Sequence, residues 1–185
     1  ACPGPGACGG MYTANTMSSA IEAMGMALPY NSSNPAISRD KLNEKETISK
    51  SIINLIKKDI KPSDIITKKS IENAVRLITL LGGSTNAVLH ILAICKTANI
   101  DFNIDDFQKI SDETPFLANL KPSGKYLMED LHNIGGIPSV MKFMLENKML
   151  HNDCMTVTGK TIEENLKNVK SLNFNQDIIR PLNNP

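Results

Sequence analysis

Residues 1–28 read ACPGPGACGGMYTANTMSSAIEAMGMAL. Six of the first ten residues are glycine or proline, so the stretch opens as a loop. From about Met11 to Ala27 the pattern changes. Met17, Ile21, Met24 and Leu28 recur at three- and four-residue steps, which predicts a helix. Cys8 stands where the loop feeds that helix. Backbone N–H groups at a helix start carry partial positive charge and favour thiolate over thiol. Gly6, Gly9 and Gly10 let the backbone pass close to a bulky group. This setting suits a nucleophilic cysteine or a metal–sulfur ligand, and it equally suits a small buried cysteine in a tight turn.

The same helical reading extends along the chain. LPYNSSNP (residues 28–35) is turn chemistry. A second helix starts after Ser38 as N-cap and runs to about Ile60, with Ile48, Ile52, Leu55 and Ile56 as its core face and a Lys- and Glu-rich face in solvent. Lys61–Pro62 ends it. Thr67 caps a third helix carrying Ile71, Val75 and Ile78. In LLGGSTNAVLHILAI (residues 80–94) the glycine pair breaks the chain, Ser84 or Thr85 caps, and Val88, Leu89 and Leu92 begin a new apolar face. A short helix follows Asn103. Residues 122–148 give two more, parted by Gly135 and Gly136, with Pro138 in the first turn of the second. Residues 155–158 read as a short strand, and Thr161 caps a last helix near 162–170. Helices dominate, and the pattern predicts an all-helical or helix-rich α/β segment.

Composition narrows the function classes. The 185 residues suffice for one ordinary domain with a buried core. Net charge is +1, so bulk electrostatics point to neither nucleic acid nor membrane as partner. No apolar run approaches the roughly 20 residues of a membrane span. The absence of Trp, with three Tyr and five Phe, leaves little for stacking single-stranded nucleic acid. Of the four cysteines (Cys2, Cys8, Cys95 and Cys154), Cys95 lies inside an amphipathic pattern, which favours a reducing intracellular setting over two disulfides. Cys95 and Cys154 read as structural.

Two further motifs have both a functional and a plain reading. Residues 82–86, GGSTN, make either an anion cradle at a helix start or a C-cap glycine followed by an N-cap. His90 reads as a packed core histidine, His132 follows Glu129 and Asp130, and His151 lies in a loop. No spacing among them matches a histidine metal site. Glu129 and Asp130 read as a polar helix face, with a metal role left open.

Three stretches taken together are specific: ACPGPGACGGMYTANTMSSAIEAMGMALPYNSSNPA (1–36), GGSTNAVLHILAI (82–94) and PSGKYLMEDLHNIGGIPSVMKFMLENKMLHNDCMTVTGKT (122–161). In order and along essentially the whole chain they resemble the IlvD/Edd dehydratase family, on its dihydroxy-acid branch. The resemblance implies a helix-rich α/β fold, with residues 1–155 in the N-terminal catalytic domain and residues 156–185, ending IIRPLNNP, leading into a β-rich C-terminal domain. Members are several-fold longer, so the chain reads as an internal fragment, inactive alone. The implied activity is a hydro-lyase of valine and isoleucine biosynthesis. It removes water from 2,3-dihydroxy-3-methylbutanoate and 2,3-dihydroxy-3-methylpentanoate to give 2-oxo acids.

The resemblance also implies cofactors. In the family three cysteines hold an iron–sulfur cluster with one iron open, magnesium grips the substrate carboxylate, and a serine near the C-terminus takes the 2-proton. Cys8 matches the third cluster ligand, as cofactor-binding and metal residue, whereas Cys2 matches none. The other two cysteines, the Cys-Asp-Lys magnesium motif and the serine have no counterpart here, so the segment itself carries no catalytic residue. PGPGACGG is similar to the [2Fe-2S] branch rather than the [4Fe-4S] one. A homodimer is expected. Richness in Ile, Lys and Asn suggests an AT-rich genome and a bacterial cytoplasm, with an organelle as the alternative. Competing expectations are a sugar-acid (phosphogluconate-type) dehydratase, a non-catalytic helical binding domain, and a redox protein using Cys2 and Cys8.

Overall fold

The computed structural model describes residues 9–185; Cys2 and Cys8 lie outside the described residues. Along the described chain run α1 (Thr13–Ala23), α2 (Arg39–Lys57), α3 (Pro62–Ile65), α4 (Lys68–Leu80), α5 (Asn86–Thr97), α6 (Ile104–Glu113), α7 (Met128–Asn133), α8 (Gly136–Glu146) and α9 (Ile162–Leu166). Among the described residues, strand pairing is limited to three isolated bridges: Ala118 with Ile179, Leu120 with Tyr126, and Met155 with Thr161. The fold is therefore helix-rich, with no sheet among these residues. The strand expected at 155–158 contracts to the Met155–Thr161 bridge, because the chain turns back at once. Thr156 Oγ1 donates to Lys160 O and thereby closes a tight loop.

The helix starts follow local chemistry. Ser38 accepts from Lys41 N, Thr67 from Ser70 N, Asn103 from Asp105 N and Asp106 N, and Thr161 from Glu164 N. Each is a side-chain oxygen satisfying an N–H that has no partner within its helix. Gly135 and Gly136 sit at φ 119° and 66°, a left-handed pair that only glycine adopts freely, and they turn the chain sharply between α7 and α8. Asp59, at φ 51°, stops α2 short of the expected Ile60.

Helix α4 is the centre of the fold. Eight of its thirteen residues are buried. Ile71, Ala74, Val75 and Ile78 pack with α1, α5 and α6 around Ala20, Met24, Ile91, Cys95, Phe102 and Ile110. Leu77 and Leu80 enter a second core with Leu120, Leu131, Ile137, Val140, Met144, Ile162, Leu166 and Ile179. The polypeptide beyond residue 156 thus buries side chains in the same core as α4.

Three expectations about helix faces are corrected. In α2 no residue is buried, and Ile48, Ile52 and Ile56 face outward rather than forming a core face. In α5 the buried positions are Ala87, Ile91 and Cys95, while Leu89 is exposed and Val88 and Leu92 only half-buried. His90 is exposed rather than packed, because it lies off the face of α5 that buries Ala87, Ile91 and Cys95.

Candidate functional site

The residues directly after Cys8 are held at successive backbone groups. Gly9 O accepts from Met128 N at 2.7 Å, at the start of α7. Gly10 O accepts from Asn15 Nδ2 at 2.6 Å. Met11 N donates to Lys121 O at 2.6 Å, and Met11 O accepts from Thr16 Oγ1 at 3.4 Å. Asn15 and Thr16 lie in the first turns of α1, so the helix reaches back to fix the segment that feeds it. A Cβ on Gly10 would come within 2.9 Å of Lys121 O, so only glycine allows this approach.

Thr16 makes a second connection. It is fully buried, and its Oγ1 accepts from Ser84 N at 3.0 Å. Asn86 Nδ2 donates to Thr13 Oγ1 at 2.7 Å. Gly83 lies so close that a Cβ there would stand 2.7 Å from the Thr16 γ-methyl. The GGSTN loop is therefore docked on the first turns of α1. Its amides are engaged inside the protein. Gly82 N donates to Thr79 O, Gly83 N to Ile78 O, Asn86 N to Ser84 Oγ, Ala87 N to Ser84 O and Val88 N to Thr85 O. That is a helix end followed by a helix start, with few amides left for an anion. A ligand here would meet the exposed side chains of Thr85 and Asn86.

The three stretches singled out in the sequence thus meet in space, residues 9–16 bonding to 82–86 on one side and to 121–128 on the other. Sequence reasoning missed Thr13, Asn15 and Thr16. Their signal was polarity on the inner face of an otherwise apolar helix, since Thr16 and Ser19 are both fully buried.

Glu22, two turns further along α1, is also buried. It accepts from Tyr30 N at 2.8 Å, from Ser32 N at 2.9 Å and from Ser32 Oγ. Burial pushes its carboxyl up to about 7 against the pull of these donors. The bonds hold Tyr30 at φ 72°, a conformation unusual for a side chain of its size.

The other predicted residues are dispersed. Cys95 and Cys154 are free buried thiols in different cores. Burial raises both, Cys154 to about 11, so neither is an activated thiolate. His151 Nε2 meets Glu72 Oε2 at 2.6 Å, with Arg76 nearby. Glu129 is exposed, and Asp130 accepts from Leu127 N at 2.7 Å as part of the α7 cap. Among the described residues no three His, Cys, Asp or Glu side chains stand together as a metal site. No helix there is long and apolar enough to cross a membrane.

A family model described as "Dihydroxy-acid/6-phosphogluconate dehydratase N-terminal" matches residues 1–165. The chain belongs to this family. Across its whole length it is 61% identical to a dihydroxy-acid dehydratase of Flavobacterium psychrophilum, covering 33% of that protein. It is 59% identical to one of Lactococcus lactis, again covering 33%, and 60% identical to a chloroplastic one of Arabidopsis thaliana, covering 30%. The chain spans about a third of the length of the curated relatives it matches. The described helices thus belong to the N-terminal part of an IlvD/Edd dehydratase.

Proposed function

We propose that this chain is the cluster-anchoring segment of a dihydroxy-acid dehydratase. The complete polypeptide would remove water from 2,3-dihydroxy-3-methyl acids to give 2-oxo acids for valine and isoleucine. One observation carries the reading: residues 9–11, immediately after Cys8, are tied to α1, to Lys121 and to the start of α7. A thiolate that must hold a fixed position needs such support from the chain around it.

The donor set fits an iron–sulfur group in one respect. Cys8 offers a single sulfur, and Cys95 and Cys154 are buried in separate cores. The remaining ligands would come from the part of the polypeptide that the relatives carry beyond these residues, as would the magnesium ligands and the base. When bound, a cluster with an open iron supplies Lewis-acid polarisation of the departing hydroxyl. The role of this segment is to position. Asn15 and Thr16 fix the backbone behind Cys8, and Ser84 and Asn86 brace those two turns of α1. Residues 156–185 would begin the connection to a C-terminal domain. A [2Fe-2S] cluster, a homodimer and a bacterial cytoplasm complete the proposal.

Cys8→Ser in the complete polypeptide tests it. The expected outcome is loss of bound iron, acid-labile sulfide and visible absorbance. Retention of all three would refute the assignment of Cys8. Assay of the unaltered polypeptide on 2,3-dihydroxy-3-methylbutanoate against 6-phosphogluconate separates the two branches of the family, and turnover of the phosphorylated acid alone would exclude the branched-chain reading.

A further inference from the structure

Helix α2 is amphipathic and sits the wrong way round for a helix that belongs only to these residues. Ile48, Ile52 and Ile56 recur every four residues on one side, with Leu42 and Ile53 beside them, and all five are 41% to 74% exposed. The opposite side carries the contacts, and these are polar. Glu44 accepts from Asn31 Nδ2 at 2.6 Å and from Asn34 Nδ2 at 2.9 Å. Lys41 Nζ donates to Asn31 O, Asn54 Nδ2 to Thr158 O and Lys58 Nζ to Gly159 O. Between these end tethers runs a groove of about 650 Å³ lined by Asn43, Thr47, Ser51, Tyr30 and His132. That underside is polar, whereas nothing among the described residues covers the aliphatic stripe.

We infer that the outward stripe of α2 is the docking face for the remainder of the dehydratase polypeptide. This rests on family membership and not on the assignment of Cys8. The curated relatives are about three times the length of this chain. The rest of such a polypeptide must bury apolar surface against this third, and interfaces within a chain usually cover some 600–1,500 Å². Five aliphatic side chains stand exposed along a helix about 28 Å long. Other large exposed apolar residues, such as Leu89, Ile104, Phe116 and Phe174, are scattered singly over separate segments. A second copy of α2 fits the stripe less well. Lys45, Lys50 and Lys57 outnumber Glu46 along its exposed flanks, and self-pairing would double that like charge.

The test uses the complete polypeptide with the photo-cross-linker benzoylphenylalanine in place of Ser49, an exposed polar position amid the stripe. After irradiation, peptides joining residue 49 to chain beyond these 185 residues are expected. The polypeptide should keep its single-chain mass on a denaturing gel. Ile52→Asp in the same polypeptide should lower the yield of that link, and raise amide exchange across α2, by at least about tenfold, the factor that follows from losing 1.4 kcal/mol. Links that double the mass would assign the stripe to a second copy and overturn the proposal. So would links confined to these 185 residues, no link at all, or an Ile52→Asp protein with unchanged link and exchange. Iron and sulfide content, read in parallel, reports on Cys8 independently.

Discussion

Helices α4 and α2 are both amphipathic, both capped by a hydroxyl side chain, and both rich in isoleucine or leucine on one side. Their fates differ. In α4 eight residues are buried, and the helix is shared by two cores. In α2 none is buried, and the polar side faces the protein. Periodicity says which side of a helix is apolar, but not whether the surface that covers it lies within the same stretch of chain. The contrast shows where the segment is self-sufficient and where it is not.

Truncation of buried residues should separate the two helices most strongly. Leu77 is fully buried, and Leu77→Ala should cost about 4 kcal/mol in urea unfolding through lost contacts and the cavity left behind. Ile56, 74% exposed, should cost less than about 0.5 kcal/mol when changed to Ala in these 185 residues. The same change should cost more than about 1 kcal/mol in the complete polypeptide if α2 is covered there. Equal costs in both settings would erase the distinction.

The next effect concerns the link between α1 and the loop that tethers α2. Glu22 holds Tyr30 and Ser32, and the neighbouring Asn31 and Asn34 hold Glu44 of α2. Its carboxyl is raised from 4.5 to about 7, chiefly by burial, with Glu44 adding to the rise. Between those values the folded chain binds a proton that the unfolded chain has released. Stability therefore falls as pH rises from about 4.5 to 7 and levels off above, by a total on the order of 3 kcal/mol. Glu22→Gln should flatten this slope in unfolding curves measured at several pH values. A slope unchanged in that variant would assign the dependence to other groups.

Much of the fold was legible because it is encoded locally. Ser38, Thr67, Asn103 and Thr161 announce helix starts by chemistry that needs no tertiary partner, and Gly135–Gly136 announces a break. The face of α5 was not legible. Val88, Leu89, Ile91, Leu92 and Ile94 leave it apolar nearly all round, so packing against α1 and α6 made the choice. The orientation of α2 was hidden for the opposite reason. Its pattern is clean, but the surface that answers it lies outside the described residues. At the site, Cys8 and GGSTN were visible as motifs. Their connection through Thr16 was not, since residues 68 positions apart meet only in the folded chain.

That connection gives the third test. Thr16→Val keeps the shape but removes the acceptor for Ser84 N and the donor to Met11 O, leaving a part-buried N–H unmatched. A cost of about 2 kcal/mol is expected, with faster amide exchange in residues 82–86. Thr16→Ser should restore most of it. For comparison, Asn54→Ala removes the Thr158 tether of α2 and should cost no more than about 0.5 kcal/mol.

The smallest effect is the most discriminating, because it starts from equal chemistry. Thr67 caps α4 and Ser38 caps α2, each accepting from the N–H three residues on. Removing either hydroxyl by substitution with Ala should cost its helix about 1 kcal/mol. In α4 that cost should appear in global unfolding, since fraying of the first turn exposes Ile71, fully buried in the core shared with α1. In α2 it should appear as faster amide exchange in the first turn, with the global midpoint nearly unchanged, because the helix opens without exposing buried apolar surface. Were Ser38→Ala to shift the global midpoint as far as Thr67→Ala does, α2 would be an integral part of the core's cooperative unit, and its outward stripe would need another explanation.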